Sequence, residues 1–174
     1  LSEDRILFCK GQAWPPNIPE LNEVSLPDRV ETALTTDFRI YKYDPDLSPV
    51  APVVIYTGYV SGEGGGILAR SLYRFELATR RSVRLTENEH WDDVTPSWSP
   101  DGSRVLFASN RNGHFEIWWL EPGSLRTGQV TRATEPGVEH FNPGLSPDGS
   151  QLACFRTHGR ETLLELRPAS ALPW

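Results

Sequence analysis

The sequence predicts an all-β fold of repeated four-stranded antiparallel sheets, and three observations predict it. The motif Ser-Pro-Asp-Gly-Ser begins at Ser99 and again at Ser146, 47 residues later. Each copy is flanked by short runs rich in β-branched and aromatic residues, the side chains that fit a pleated, half-buried surface. Between the copies stand turn formers, Asn110-Arg-Asn-Gly113 and Pro122-Gly123, and no long run with a helical period. A fixed period of this length matches a four-stranded blade. The expectation is a partial β-propeller of about three to four four-stranded antiparallel blades spanning residues 1–174.

The repeated motif explains its own shape. Ser99 and Ser146 supply a side-chain acceptor at the first turn position, Pro100 and Pro147 pre-set φ at the second, Asp101 and Asp148 suit the third, and Gly102 and Gly149 tolerate positive φ at the fourth. Each motif therefore reads as a hairpin turn. Residues 94–109 align with 141–156, and the best-matching blades are 82–132 and 139–168. In the first of these the strands run 95–99, 104–109, 115–120 and 129–132.

Elsewhere the grammar is less complete. Residues 2–10 read as a shortened turn and a second strand of an earlier blade. Residues 11–36, proline-rich with few strand signals, read as an irregular insertion carrying Trp14, placed as a rim loop. Residues 38–45 read as a third strand and 52–57 as the next. Residues 72–77 and 82–86 repeat the third- and fourth-strand pattern directly before the best blade. The glycine-rich stretch 59–66 lacks the Gly-Lys-Ser/Thr ending of a phosphate-binding loop and reads as a plain loop.

Composition bounds the function classes. A hydrophobic content of 38%, with seven Phe, six Trp and five Tyr, describes a chain with a core. A net charge of −6 and the absence of a basic patch argue against a nucleic-acid partner, which requires cations to displace counterions from phosphate. No apolar run approaches the ~20 residues of a membrane-spanning helix, so membrane insertion is not expected. Cys9 and Cys154 read as free thiols in apolar strands. The chain has no Met, which is expected of a piece of a longer polypeptide.

The order Thr95-Pro-Ser-Trp-Ser-Pro-Asp-Gly102, then Val105-Leu-Phe107, Asn110-Arg-Asn-Gly113 and Glu116-Ile-Trp118 resembles the TolB-like, WD-like β-propeller repeat. The resemblance covers residues 82–168 most fully; in residues 1–81 only isolated strands match. It implies six- or seven-bladed rings around a central channel, in proteins often exported to the periplasm or the extracellular space of bacteria. The chain starts on a second strand and ends, at residues 161–168, on a third. A first and a fourth strand are then missing, and the expectation is either a fragment of a larger protein or copies that bury one another's open faces.

Two polar clusters precede the first strands of successive blades: Glu89-His90-Trp91-Asp92-Asp93, and Glu139-His140-Phe141-Asn142. In a propeller these positions fall at the channel mouth. His90, Asp92, Asp93, His140 and Asn142 are therefore candidate ligands for a polar ligand or a divalent cation, against the plainer role of capping strand ends. Trp98, Trp118 and Trp119 are expected to pack between blades. No Gly-x-Ser-x-Gly nucleophile elbow is encoded, Ser61 included. The expected function is noncatalytic: a scaffold that binds another protein, or further copies of itself, without a cofactor. The alternative is the propeller part of an enzyme. One form is the gating domain of a prolyl-oligopeptidase-like peptidase; the other is a metal-dependent lyase resembling oligogalacturonate lyases, with His90 and His140 at the metal.

Overall fold

The computed structural model describes residues 4–11, 18–36, 39–60, 69–87 and 89–173. These residues form fourteen strands in four antiparallel sheets that follow one another along the chain. The first sheet holds β1 (Arg5–Lys10), β2 (Glu20–Ser25) and β3 (Glu31–Ala33). The second holds β4 (Ile40–Leu47), β5 (Val53–Val60), β6 (Ser71–Glu76) and β7 (Arg81–Arg84). The third holds β8 (Asp93–Trp98), β9 (Val105–Ser109), β10 (Glu116–Leu120) and β11 (Thr127–Gln129). The fourth holds β12 (Val138–Leu145), β13 (Gln151–His158) and β14 (Glu161–Pro168), followed by a short 3-10 turn over Ala169–Ala171. Two sheets therefore have four strands and two have three. No helix of the described residues is long and apolar enough to cross a membrane.

Successive sheets stack face to face on apolar layers. Leu21, Val54, Tyr56 and Phe75 join the first two sheets; Ile55, Leu72, Val105, Phe107 and Leu120 join the second and third; Leu106, Ala108, Ile117, Trp119, Leu152 and Cys154 join the third and fourth. Strand alternation supplies both faces at once, since neighbouring side chains point to opposite sides of a sheet. Trp118 packs on the layer toward the second sheet and Trp119 on the layer toward the fourth, so both rings end between blades, as does Trp98. Trp119 donates from Nε1 to the Pro173 carbonyl at 3.0 Å. Cys9 and Cys154 are free thiols.

The Ser-Pro-Asp-Gly turns form as their residues dictate. Gly102 and Gly149 adopt φ of 67° and 70° and donate to the Ser99 and Ser146 carbonyls at 2.8 and 2.7 Å. Asp101 and Asp148 accept from the backbone N–H groups of Ser103 and Ser150, each at 3.0 Å. These bonds, together with the hydroxyls of Ser146 and Ser150, hold the Asp148 carboxyl down at about 2.

The phase of the repeat differs from expectation in the first half. Residues 38–45 are not a third strand: β4 opens the second sheet, and β5 is its second strand. The hairpin between them is Ser48-Pro-Val-Ala51, closed by Ser48 N–H to the Val53 carbonyl at 2.8 Å, as Ser146 N–H closes on Gln151. With Val-Ala in place of Asp-Gly the turn lost its sequence signature while keeping its hydrogen bond. The pattern over residues 82–86 forms β7, the fourth strand of this second sheet, as expected of a strand directly before the next blade, so the third sheet begins at β8 and not at residue 82. Within 11–36, expected to be irregular, β2 and β3 complete the first sheet. Their alternation is weak because charged residues occupy both faces of β2 and because β3, Glu-Thr-Ala, is exposed throughout and buries no apolar face. Trp14, Ser61 and most of the glycine-rich stretch lie outside the described residues.

The two outer sheets present apolar side chains to solvent. On the fourth, Phe155, Leu164 and Leu166 are 41%, 64% and 61% exposed, at the positions that Ala108, Ile117 and Trp119 bury in the third. On the first, Ile6 is 50% exposed at the position that Val105 buries.

Candidate functional site

The site begins with a kink repeated three times. Each first strand carries a bulge, between Tyr43 and Asp46 in β4, Val94 and Ser97 in β8, and Phe141 and Gly144 in β12. The inserted residue has positive φ in every case: Asp44 at 49°, Thr95 at 52° and Asn142 at 50°, each followed by proline. Asp and Asn accept this conformation with little penalty; a β-branched Thr does not. The three bulged strands lie beside one another along the inner side of the stack, so the bulges re-aim their side chains on one common rim.

Two residues before each inserted residue sits a fully buried polar residue that ties its sheet to the preceding one. The backbone N–H groups of Lys42, Asp93 and His140 donate to the carbonyls of Pro19, Arg70 and Phe115, at 3.3, 2.9 and 2.8 Å. Their side chains extend the tie. Lys42 Nζ lies 2.8 Å from Glu20 Oε2, and Nδ1 of His140 lies 2.9 Å from Glu116 Oε2, with both pairs sealed from solvent. Asp93 receives the Arg111 guanidinium at 2.9 Å, which also stacks 4.5 Å from the Trp118 ring. The Thr35 and Thr131 hydroxyls reach the same two glutamates and accept from the N–H groups of Leu21 and Ile117. Burial alone would raise the Glu116 carboxyl; hydrogen bonds from His140, the Ala133 backbone and Thr131 outweigh it and hold the group at about 2.

Above these ties, at the end of the sheets opposite the Ser-Pro-Asp-Gly turns, a cleft of about 850 Å³ opens across the second, third and fourth sheets. One wall is aromatic: Tyr43 and Tyr59 line it with rings stacked at 5.9 Å, Tyr41 backs Tyr59 at 4.6 Å, and Phe115 meets Phe141 at 4.7 Å farther round. The polar lining includes Asp44, Arg70, His90, Asp92 and Asn110. Arg70 and Asp92 lock two sheets together, the guanidinium and the backbone N–H of Arg70 each donating to the carboxylate, at 2.7 and 2.8 Å. Burial would raise Asp92, and Arg70 more than compensates, leaving its carboxyl below the usual value. Asp44 goes the other way, raised by burial that the Thr57 hydroxyl at 3.4 Å and the Arg70 charge only partly offset. Burial and a hydrogen bond with Tyr43 push the Tyr59 phenol up to about 12.

The candidate residues thus divide. His90 and Asp92 line the cleft. Asp93 and His140 do not: they are interior ties between sheets, because they face the opposite way from their neighbours Asp92, Val94 and Phe141, which line the cleft. Asn142 is exposed on its bulge and is not among the cleft residues. His90 and His140 are accordingly not brought together, and no group of three or more His, Cys, Asp or Glu side chains placed to hold a metal occurs among the described residues. The tyrosine wall and Asp44 were missed. The Asp44-Pro45 and Asn142-Pro143 pairs, read against Thr95-Pro96, would have revealed the bulge and with it the rim.

No family model matches the chain. Over 77 residues, 44% of its length, the chain is 38% identical to the Tol-Pal system protein TolB of Francisella tularensis, covering 16% of that relative. Among solved structures, TolB from Acinetobacter baumannii superposes with a TM-score of 0.77 over 98% of this chain and 39% of its own length, at 19% identity. An oligogalacturonate lyase in complex with manganese superposes with a TM-score of 0.62 over 99% of this chain and 46% of its own, at 16% identity. The chain therefore spans less than half of each of these proteins.

Proposed function

We propose that this chain, a member of the TolB-like β-propeller repeat family, is a noncatalytic scaffold that docks another protein in the cleft across its second, third and fourth sheets. The observation that carries the reading is the cleft's stacked tyrosine wall on a rim made rigid by the inter-sheet ties. Aromatic side chains on a preorganised surface supply most of the binding energy of protein interfaces, because they bury large areas with little conformational entropy to lose. The Francisella relative is named as a Tol-Pal system protein, which is consistent with a partner that is itself a protein and with a periplasmic or extracellular location. The exposed faces of the outer sheets have a separate role in this reading. They accept further blade-like sheets, of a longer polypeptide or of a second copy, since their residues occupy positions that the inner sheets bury against one another.

The test is photo-crosslinking from a photoreactive residue at position 90, in the bacterium that makes the protein. The same residue placed at position 103, at the other end of the third sheet, serves as the control. A single protein captured from position 90 and absent from position 103 supports docking in the cleft; equal capture from both, or from neither, overturns it.

A further inference from the structure

Resting on the docking reading, we infer that the cleft is a pocket for a basic side chain: the partner inserts a Lys or Arg over the outer face of the Tyr43 ring, with Asp44 as its counter-ion. Three observations carry this. The wall is a face-to-face aromatic stack, Tyr41, Tyr59 and Tyr43, with interplanar angles of 4° and 7°, and Tyr43 at its end is 38% exposed. Aromatic faces carry partial negative charge and attract cations.

The second observation is the charge balance. Among the described residues, Asp44, Glu89 and Asp92 line the cleft with Arg70 as the only Lys or Arg, and Arg70 is engaged by Asp92 through its guanidinium and backbone N–H, a contact that locks the sheets. Asp44 has a Thr57 hydroxyl at 3.4 Å and no cationic nitrogen within ion-pair distance among the described residues. A cation entering the cleft therefore finds a carboxylate already placed and not yet paired.

The third is local. The Thr95 hydroxyl lies buried in the same lining with no hydrogen-bond partner among the described residues. It is held there at a φ that a β-branched residue rarely adopts. A guanidinium or ammonium donates to such an oxygen.

The probe is N-acetyl-arginine amide, with its uncharged isostere N-acetyl-citrulline amide as the comparison, followed by backbone amide shifts of the intact protein. The expected result is saturable binding of the arginine compound centred on Tyr43, Asp44 and Tyr59, at least fivefold tighter than the citrulline compound. Asp44→Asn is the informative variant. Asn keeps the positive-φ preference, as Asn142 does at the matching bulge, so the fold is retained while the charge is removed; the arginine compound should weaken at least fivefold. Equal binding of the two compounds, unchanged binding to Asp44→Asn, or no binding of either compound overturns the inference. Failure of the arginine comparison with capture from position 90 alone would overturn the cation pocket while leaving the docking reading intact, and equal capture from positions 90 and 103, or from neither, would remove docking itself.

Discussion

Glu116 Oε2 and His140 Nδ1 meet at 2.9 Å across the boundary between the third and fourth sheets, both side chains sealed from solvent. The contact converts two residues that look like site chemistry into a structural tie. Because the Glu116 carboxyl is held at about 2, against 4.5 for an ordinary glutamate, its contribution is present above about pH 4.5 and is lost as pH falls through that interval toward 2. Glu116→Gln should lower urea stability at pH 7 by up to about 3 kcal/mol, and the gap from wild type should close toward pH 2. A gap that stays constant with pH would contradict the assignment.

Lys42 and Glu20 make the matching tie between the first and second sheets at 2.8 Å. Removing one partner leaves a buried charge uncompensated, at a cost of about 3–5 kcal/mol, whereas replacing both with apolar residues costs far less. Equilibrium unfolding of Glu20→Leu, Lys42→Met and the double variant should show the double variant more stable than either single one.

Thr95 carries a strain that its neighbours in the repeat avoid. Thr95→Asn, matching Asn142, should stabilise the protein by roughly 0.5–1 kcal/mol, the scale of relieving an unfavourable backbone conformation. The same change should alter the cleft lining, and so reduce binding of the arginine compound. Thermal unfolding and the amide-shift titration read the two effects separately.

The exposed leucines of β14 predict a solution property. Leu164→Ser with Leu166→Ser should leave the unfolding midpoint nearly unchanged, since neither side chain is buried. It should reduce self-association measured by light scattering, because the wild-type face has the composition of an inter-sheet layer. A wild-type protein that stays monomeric at high concentration would contradict a role for this face between copies.

Much of this architecture was legible in the sequence, and the physical reasons for the rest are specific. The turns at Ser99 and Ser146 announced themselves because Pro, Asp and Gly each meet a backbone requirement there; the turn at Ser48 meets the same closing bond with Val50 and Ala51 and was invisible. Trp118 and Trp119 followed from strand alternation alone. The reading of residues 2–10 as a second strand matches the place of β1 in its sheet. Matching hydrogen bonds, Leu21 N–H to Thr35 and Ile117 N–H to Thr131, put β2 and β3 at the third and fourth positions of their sheet. The site divided by ordinary strand alternation: Asp92 and Asp93 are adjacent in sequence, so one lines the cleft and the other lies under it. Residue type could not say which of the two faces the cleft, and the recurring residue-Pro pair after Tyr43, Val94 and Phe141, which marks the rim, could.

The central claim is that the cleft is where a protein partner docks. Its most direct measurement is the calorimetric affinity of the partner captured from position 90 for wild type, for Tyr59→Ser and for His90→Ser. Tyr59→Ser should weaken binding at least tenfold, on the order of 1.4 kcal/mol or more for a central aromatic contact, and His90→Ser at the rim should weaken it less. Unchanged affinity in both variants, with their folds intact, would contradict docking at this cleft.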